Sequence, residues 1–205
     1  MSQIGTVTAS GPRWATVTRS TKETQITVTL KLDGTGETSI ETGVGFYDHL
    51  LGSMAYHALF DLEIAAGGDL VIDEHHTVED VALVLGAALA QALGDRSGIA
   101  RFGDAAVPMD ESVATAVVDV GGRPYAVVDL PFKGKRAGKL PLQLIAHVLE
   151  SFARAGGVTL NIRGRGRNDH HLAEAAFKAL GRALRAACAV DSRRSGPAST
   201  KGSLG

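Results

Sequence analysis

Excess charge of either sign is missing from this chain: 21 lysines and arginines face 22 aspartates and glutamates, for a formal net charge of −1. That balance offers nothing to hold a nucleic-acid backbone or an anionic membrane surface. Cysteine is nearly missing too. Cys188 is the only one, which excludes an intramolecular disulfide framework and suits a reducing compartment. No apolar run reaches membrane-spanning length without a glycine or a charge inside it. The opening MSQIGTVTASGPRW lacks the apolar stretch of a secretion signal. The expectation is a soluble, cytoplasmic protein with no nucleic-acid and no membrane partner. What remains is ordinary globular material, 205 residues that are 44% hydrophobic, enough for one large domain or two smaller lobes.

Local patterns then repeat in order. TQITVTLKL (24–32) alternates at the period of a strand, and DGTGE after it reads as a turn, with Asp33 a turn residue. TSIETGV continues as strand, GFYDHLLGSMAYHALF has helical spacing, and DLEIAAGGDLVID reads as strand bent at its Gly-Gly. HHTVEDVALVLGAALAQALG is a long helix stopped at Gly94. DRSGIARFGDAAVPMDE reads as a loop. Beyond it SVATAVVDV and RPYAVVDL are strands, PLQLIAHVLESFARAGG a helix, VTLNIRGRG a strand and DHHLAEAAFKALGRALRAAC a long helix with Cys188 on its apolar side. Each half runs strand, strand, helix, strand, helix. The expectation is an internally duplicated α+β fold, a single domain over 1–205 with repeats at about 13–100 and 101–190 and a tail at 191–205. For the tail, DSRRSGPASTKGSLG, two readings stay open: a frayed terminus, or a segment closing over an anion with Ser199, Thr200 and Lys201.

Seven histidines are present, and four of them fall in two HHxxE motifs, His75-His76-x-x-Glu79 and His170-His171-x-x-Glu174. Residues three or four apart share a helix face, whereas neighbours point about 100° apart. Each motif therefore offers one His–Glu chelate and one histidine aimed elsewhere, which implies two metal ions with each motif contributing to both. His49 and His147, one on the first helix of each half, complete six imidazoles and two carboxylates. Mixed nitrogen and oxygen ligation without cysteine suits octahedral Mn²⁺ or Fe²⁺ with open positions rather than a closed zinc site. Only His57 is left over. The residues alone lead to a two-metal enzyme, a lyase or a phosphate-ester hydrolase, or to an assembly glued by metal.

In order along the chain stand RSTKET (19–24), LDGTGE (32–37), TGVGFYDHLL (42–51), EHHTVED (74–80), RFGDAAVPMDE (101–111), GRPY (122–125), HVLESFA (147–153), NDHHLAEAAFKALGRAL (168–184) and STKG (199–202). With these the sequence resembles the imidazoleglycerol-phosphate dehydratase family over nearly its whole length. The resemblance implies a duplicated fold of the ribosomal protein S5 domain 2-like kind and the Mn²⁺-dependent dehydration of imidazole glycerol phosphate in histidine biosynthesis. It also implies two Mn²⁺ per active site and a homo-oligomer of trimers, about 24 subunits, with metals at subunit contacts. Carried over by position, the metal ligands are His49, His75, His76, Glu79, His147, His170, His171 and Glu174. Glu23 is the acid–base candidate, with Glu79 or Glu174 as alternatives that swing off their ion. Arg101, Arg123, Lys178, Ser199 and Lys201 are the phosphate and substrate contacts. One departure is Ser53, where many members carry glutamine.

The implied chemistry explains the need for metals. The proton to be lost sits on a carbon with no neighbouring carbonyl, so direct abstraction is hopeless near neutral pH. The substrate's own imidazole, deprotonated between two Lewis acids, can expel the adjacent hydroxyl and make the next carbon acidic.

Overall fold

The computed structural model describes residues 13–204; most of the opening segment in which no secretion signal is read lies outside them. The first half comprises β1 (Trp14–Ser20), β2 (Thr24–Lys31), β3 (Thr38–Glu41), α1 (Gly45–Ala58), β4 (Asp61–Gly68) and α2 (His75–Leu93). The second comprises β5 (Phe102–Met109), β6 (Ser112–Asp119), β7 (Tyr125–Asp129), a small hairpin β8 (Arg136–Ala137) and β9 (Leu140–Pro141), α3 (Gln143–Gly156), β10 (Thr159–Arg165) and α4 (Asp169–Cys188). The two main sheets have the same order, β1-β2-β4-β3 and β5-β6-β10-β7. Their pairings also match: the first two neighbours antiparallel, the last parallel. Duplication is thus a property of the topology as well as of the motifs.

Two strands of the main sheets correct the sequence reading, and the short β8–β9 hairpin, whose Pro141 was read as helix, was not expected either. β1 was not expected, and β5 occupies DRSGIARFGDAAVPMDE, read as a loop. Both are edge strands, where half the backbone groups need no strand partner and a residue such as Pro108 is tolerated. The expected strand DLEIAAGGDLVID ends at Gly68.

Strand periodicity explains the inner faces. Along β2, Thr24, Ile26, Val28 and Leu30 face in while Gln25 and Lys31 face out. Along β6 the inward set is Ser112, Ala114, Ala116 and Val118, small enough for α4 to lie close. α4 covers β5, β6 and β10, α2 covers β1 and β2, and across the halves α1 packs on α4 and α2 on α3. One continuous core results, with Phe177, Leu180 and Leu184 of α4 and Cys188 all buried in it; each such large side chain contributes about 1.5–3 kcal/mol on leaving water. Among the described residues α2 is the one helix long and apolar enough to cross a membrane, and most of it is buried in this core.

The α1–α4 crossing depends on Gly181, where an added Cβ would stand 2.2 Å from the Met54 carbonyl oxygen. Neither backbone can yield without separating the helices. Gly181→Ala is expected to lower the melting temperature despite the better helix propensity of alanine, since overpacking of about 1–3 kcal/mol exceeds a gain of at most ~1 kcal/mol. Thermal denaturation of metal-free protein measures it. A variant melting at or above the wild type would mean the crossing tolerates a methyl group.

Candidate metal centre

Both HHxxE motifs open a helix because the chain supplies caps just ahead of them. The Asn168 side chain accepts the backbone N–H groups of His170 and His171 (3.0 and 3.4 Å), and Asp73 accepts that of His75 (2.8 Å); both satisfy donors that a helix start leaves free. From there the first histidine and the glutamate, four residues apart, stack on one face. His75 Nε2 lies 3.5 Å from a Glu79 carboxylate oxygen and His170 Nε2 lies 3.2 Å from Glu174.

The third member of each group comes from the other half. His147 on α3 brings Nε2 to 3.3 Å from Glu79, and His49 on α1 brings Nε2 to 3.3 Å from Glu174. Two triads result, His75–Glu79–His147 and His49–His170–Glu174, with ligand atoms in each within 4.8 Å of one another. These spacings suit a cation: adjacent ligands around an octahedral ion with bonds of roughly 2.1 Å stand ~3 Å apart. His147 Nε2 is also buried without a hydrogen-bond partner among the described residues, which a neutral polar atom avoids unless something else occupies it.

His76 and His171 join neither triad of their own chain. His76 Nδ1 lies 2.9 Å from Asp69 and 3.9 Å from Glu23; His171 Nδ1 lies 2.9 Å from Glu111. Within one chain each motif gives two ligands to one triad and turns its other histidine away. Asp69 and Glu111 were not anticipated. Comparing the halves could have found Glu111, because it immediately precedes β6 as Glu23 immediately precedes β2.

Cations balance the triads. Lys178 Nζ is 2.8 Å from Glu174, and Arg154, also unanticipated, is 3.6 Å from Glu79. Burial pushes the Glu174 carboxyl up, but the hydrogen bonds from Lys178 and His49 outweigh it and hold the group below its ordinary value. The hydrogen bond that His76 makes to Asp69 raises its pKa, that of His171 to Glu111 raises His171, and Glu111 in return is held far below the usual carboxylate range by His171 and by the backbone N–H groups of Asn168 and Arg167.

The residues expected at a phosphate separate into two places. Arg101, Arg123, Ser199 and Lys201 line one pocket of about 340 Å³ together with Thr200, whereas Lys178 sits on Glu174. The tail is docked rather than frayed: Gly98 donates to the Gly196 carbonyl and Asp191 to that of Gly98, and Arg101 donates to Ala198 (2.7 Å). Arg101 also grips Asp119 with two N–H groups (2.7 and 2.9 Å), so three of its five donors fix its position at the pocket.

Comparison with known proteins identifies the family. The sequence profile described as imidazoleglycerol-phosphate dehydratase matches residues 42–184. A protein of Methanoculleus marisnigri named imidazoleglycerol-phosphate dehydratase is 53% identical, over 94% of this chain and 100% of the relative. One of Chloroflexus aurantiacus with the same name is 52% identical over the full length of both. The crystal structure of the dehydratase from Pyrococcus furiosus superposes with a TM-score of 0.79 at 36% identity, over 92% of this chain and all of the other.

Proposed function

The chain belongs to the imidazoleglycerol-phosphate dehydratase family and is a carbon–oxygen hydro-lyase; from that premise we propose that it dehydrates D-erythro-imidazole glycerol phosphate to imidazole acetol phosphate, in histidine biosynthesis, with two Mn²⁺ per active site. The observation that carries this reading is the pair of triads, each built from both halves and each one imidazole short of the three that the ligand inventory provides.

The triads would hold the ions, and the fourth ligands would be His76 and His171 reaching triads on neighbouring copies. That His76 and His171 are partly exposed and join neither triad of their own chain supports such an assembly, of trimers and about 24 subunits. Bound there, the ions would supply Lewis acidity that stabilises negative charge developing on the substrate's imidazole.

The remaining work falls to side chains. Lys178 and Arg154 offset the carboxylates that the triads bring together. Arg101, Arg123, Ser199 and Lys201 would grip the phosphate and orient the three-carbon chain. Glu23, exposed and 3.9 Å from His76, would take the proton from the carbon next to the one that loses its hydroxyl. Glu79 and Glu174 are less suited to that task, because their oxygens already face two histidines and a cation each. Loss of one hydroxide and one proton, together one water, leaves an enol that relaxes to the ketone. A cytoplasmic location fits the single buried thiol and the biosynthetic role.

Assaying ketone formation by metal-stripped protein, before and after adding Mn²⁺, tests the reading. Ketone is expected only with Mn²⁺. Release of inorganic phosphate would instead indicate a hydrolase, and metal-dependent assembly without either product a structural joint.

A further inference from the structure

The two second histidines of the motifs are each held at Nδ1 by a carboxylate, but the two halves use different residues to do it. In the second half the holder is Glu111, the last residue before β6. The last residue before β2 in the first half is Glu23, yet its carboxylate stops 3.9 Å short of His76. Asp69 makes the 2.9 Å contact there. The strand register explains the exchange. Gly68 pairs with Thr24, the first residue of β2; one step beyond the pairing of Arg165 with Val113, Gly166 meets Ser112, the first residue of β6. The residue after that glycine is Asp69 in one half and Arg167 in the other, so only the first half has a carboxylate to spare at this point.

We propose that Asp69 and Glu111 are positioning residues that fix the tautomer and aim of His76 and His171, and that Asp69, by taking over this contact, leaves Glu23 free for proton transfer. This rests on the metal reading above. An ionised carboxylate can only accept, so the proton of each ring sits on Nδ1 and the lone pair is on Nε2, the edge a metal on another copy would need. A ring with its proton on Nε2 could not ligate through that atom. Glu23, with no such bond to make, keeps both oxygens available.

Because the holders differ in their surroundings, their amide variants should behave oppositely. Glu111 also accepts the backbone N–H groups of Arg167 and Asn168 through Oε1 (3.0 and 2.8 Å). In Glu111→Gln the remaining oxygen stays on those amides and the NH₂ faces His171, forcing its proton to Nε2. Asp69 has one oxygen without a partner among the described residues, so Asp69→Asn can keep its carbonyl oxygen on His76.

Mn²⁺ titration of each assembled, full-length variant gives the readout, with the melting temperature of the metal-free protein as the folding control. Expected are a ~10–100-fold loss of affinity at half of the sites in Glu111→Gln and in Asp69→Ala, near-wild-type affinity in Asp69→Asn, and unchanged affinity in Glu23→Gln. Wild-type affinity in both Glu111→Gln and Asp69→Ala would overturn the proposal, as would a loss in Glu23→Gln. If Asp69→Ala does not fold, nitrogen NMR of the imidazoles decides: His171 carrying its proton on Nδ1 in the wild type and on Nε2 in Glu111→Gln is expected, and no change of tautomer refutes it. A wild type that takes up no Mn²⁺ would instead sink the metal reading itself, before any variant is compared.

Discussion

Replacing His171 with alanine is expected to reduce turnover by ~10³-fold or more, although His171 touches neither triad of its own chain. Loss of a Lewis-acid centre removes several kcal/mol of transition-state stabilisation, and each 1.36 kcal/mol is tenfold in rate. In a symmetric assembly the change strikes every copy, so all triads of one kind lose their fourth ligand together. The particle should also sediment as smaller species than the wild type, because the same imidazole would bridge two chains. The fold should survive. Glu111 keeps its contacts to the backbone of Arg167 and Asn168, and Asn168 still caps α4. Metal content, sedimentation and turnover can be measured on one preparation. Full metal content in a particle of wild-type size would mean that the triads are closed by something other than the neighbour's histidine.

Glu23→Gln is expected to show the opposite separation: turnover down by ~10²–10⁴-fold, the range for a lost general acid–base, with metal content and particle size untouched. The amide has nearly the shape of the carboxylate and the site is exposed, so packing gives no reason for instability. A fall in kcat with KM little changed would mark a group used in the transition state rather than in binding. A variant that turns over at the wild-type rate would pass the role to Glu79 or Glu174, each of which would first have to leave its triad.

What the sequence made legible depended on repetition and on helix geometry. The four helices, the doubled HHxxE and the partnership of each glutamate with a histidine follow from a 3.6-residue period acting on neighbouring residues. β1 and β5 were hidden because edge strands bury little: β1 fully buries only Ala15, and β5 carries Gly103, Asp104 and Pro108, residues that speak against a strand when seen alone. The choice of His75 and His170 over His76 and His171 for the triads was open on spacing, since offsets of three and four both share a face. It was settled by Asp69 and Glu111, and the second of these is sixty residues away from its histidine. Lys178 was expected at the phosphate with the tail residues; its 2.8 Å contact to Glu174 follows from the four-residue spacing of the two side chains on α4.

Because each triad takes side chains from both halves, with α1 packed on α4 and α2 on α3, ions held there would rivet the two halves at two points. A hinge between them, the usual way for a two-lobed enzyme to open around its substrate, would have to tear both triads apart on every cycle. In the metal-loaded assembly proposed above, admission of substrate and escape of product would fall to the docked tail and to the seams between copies, with little motion of one half against the other.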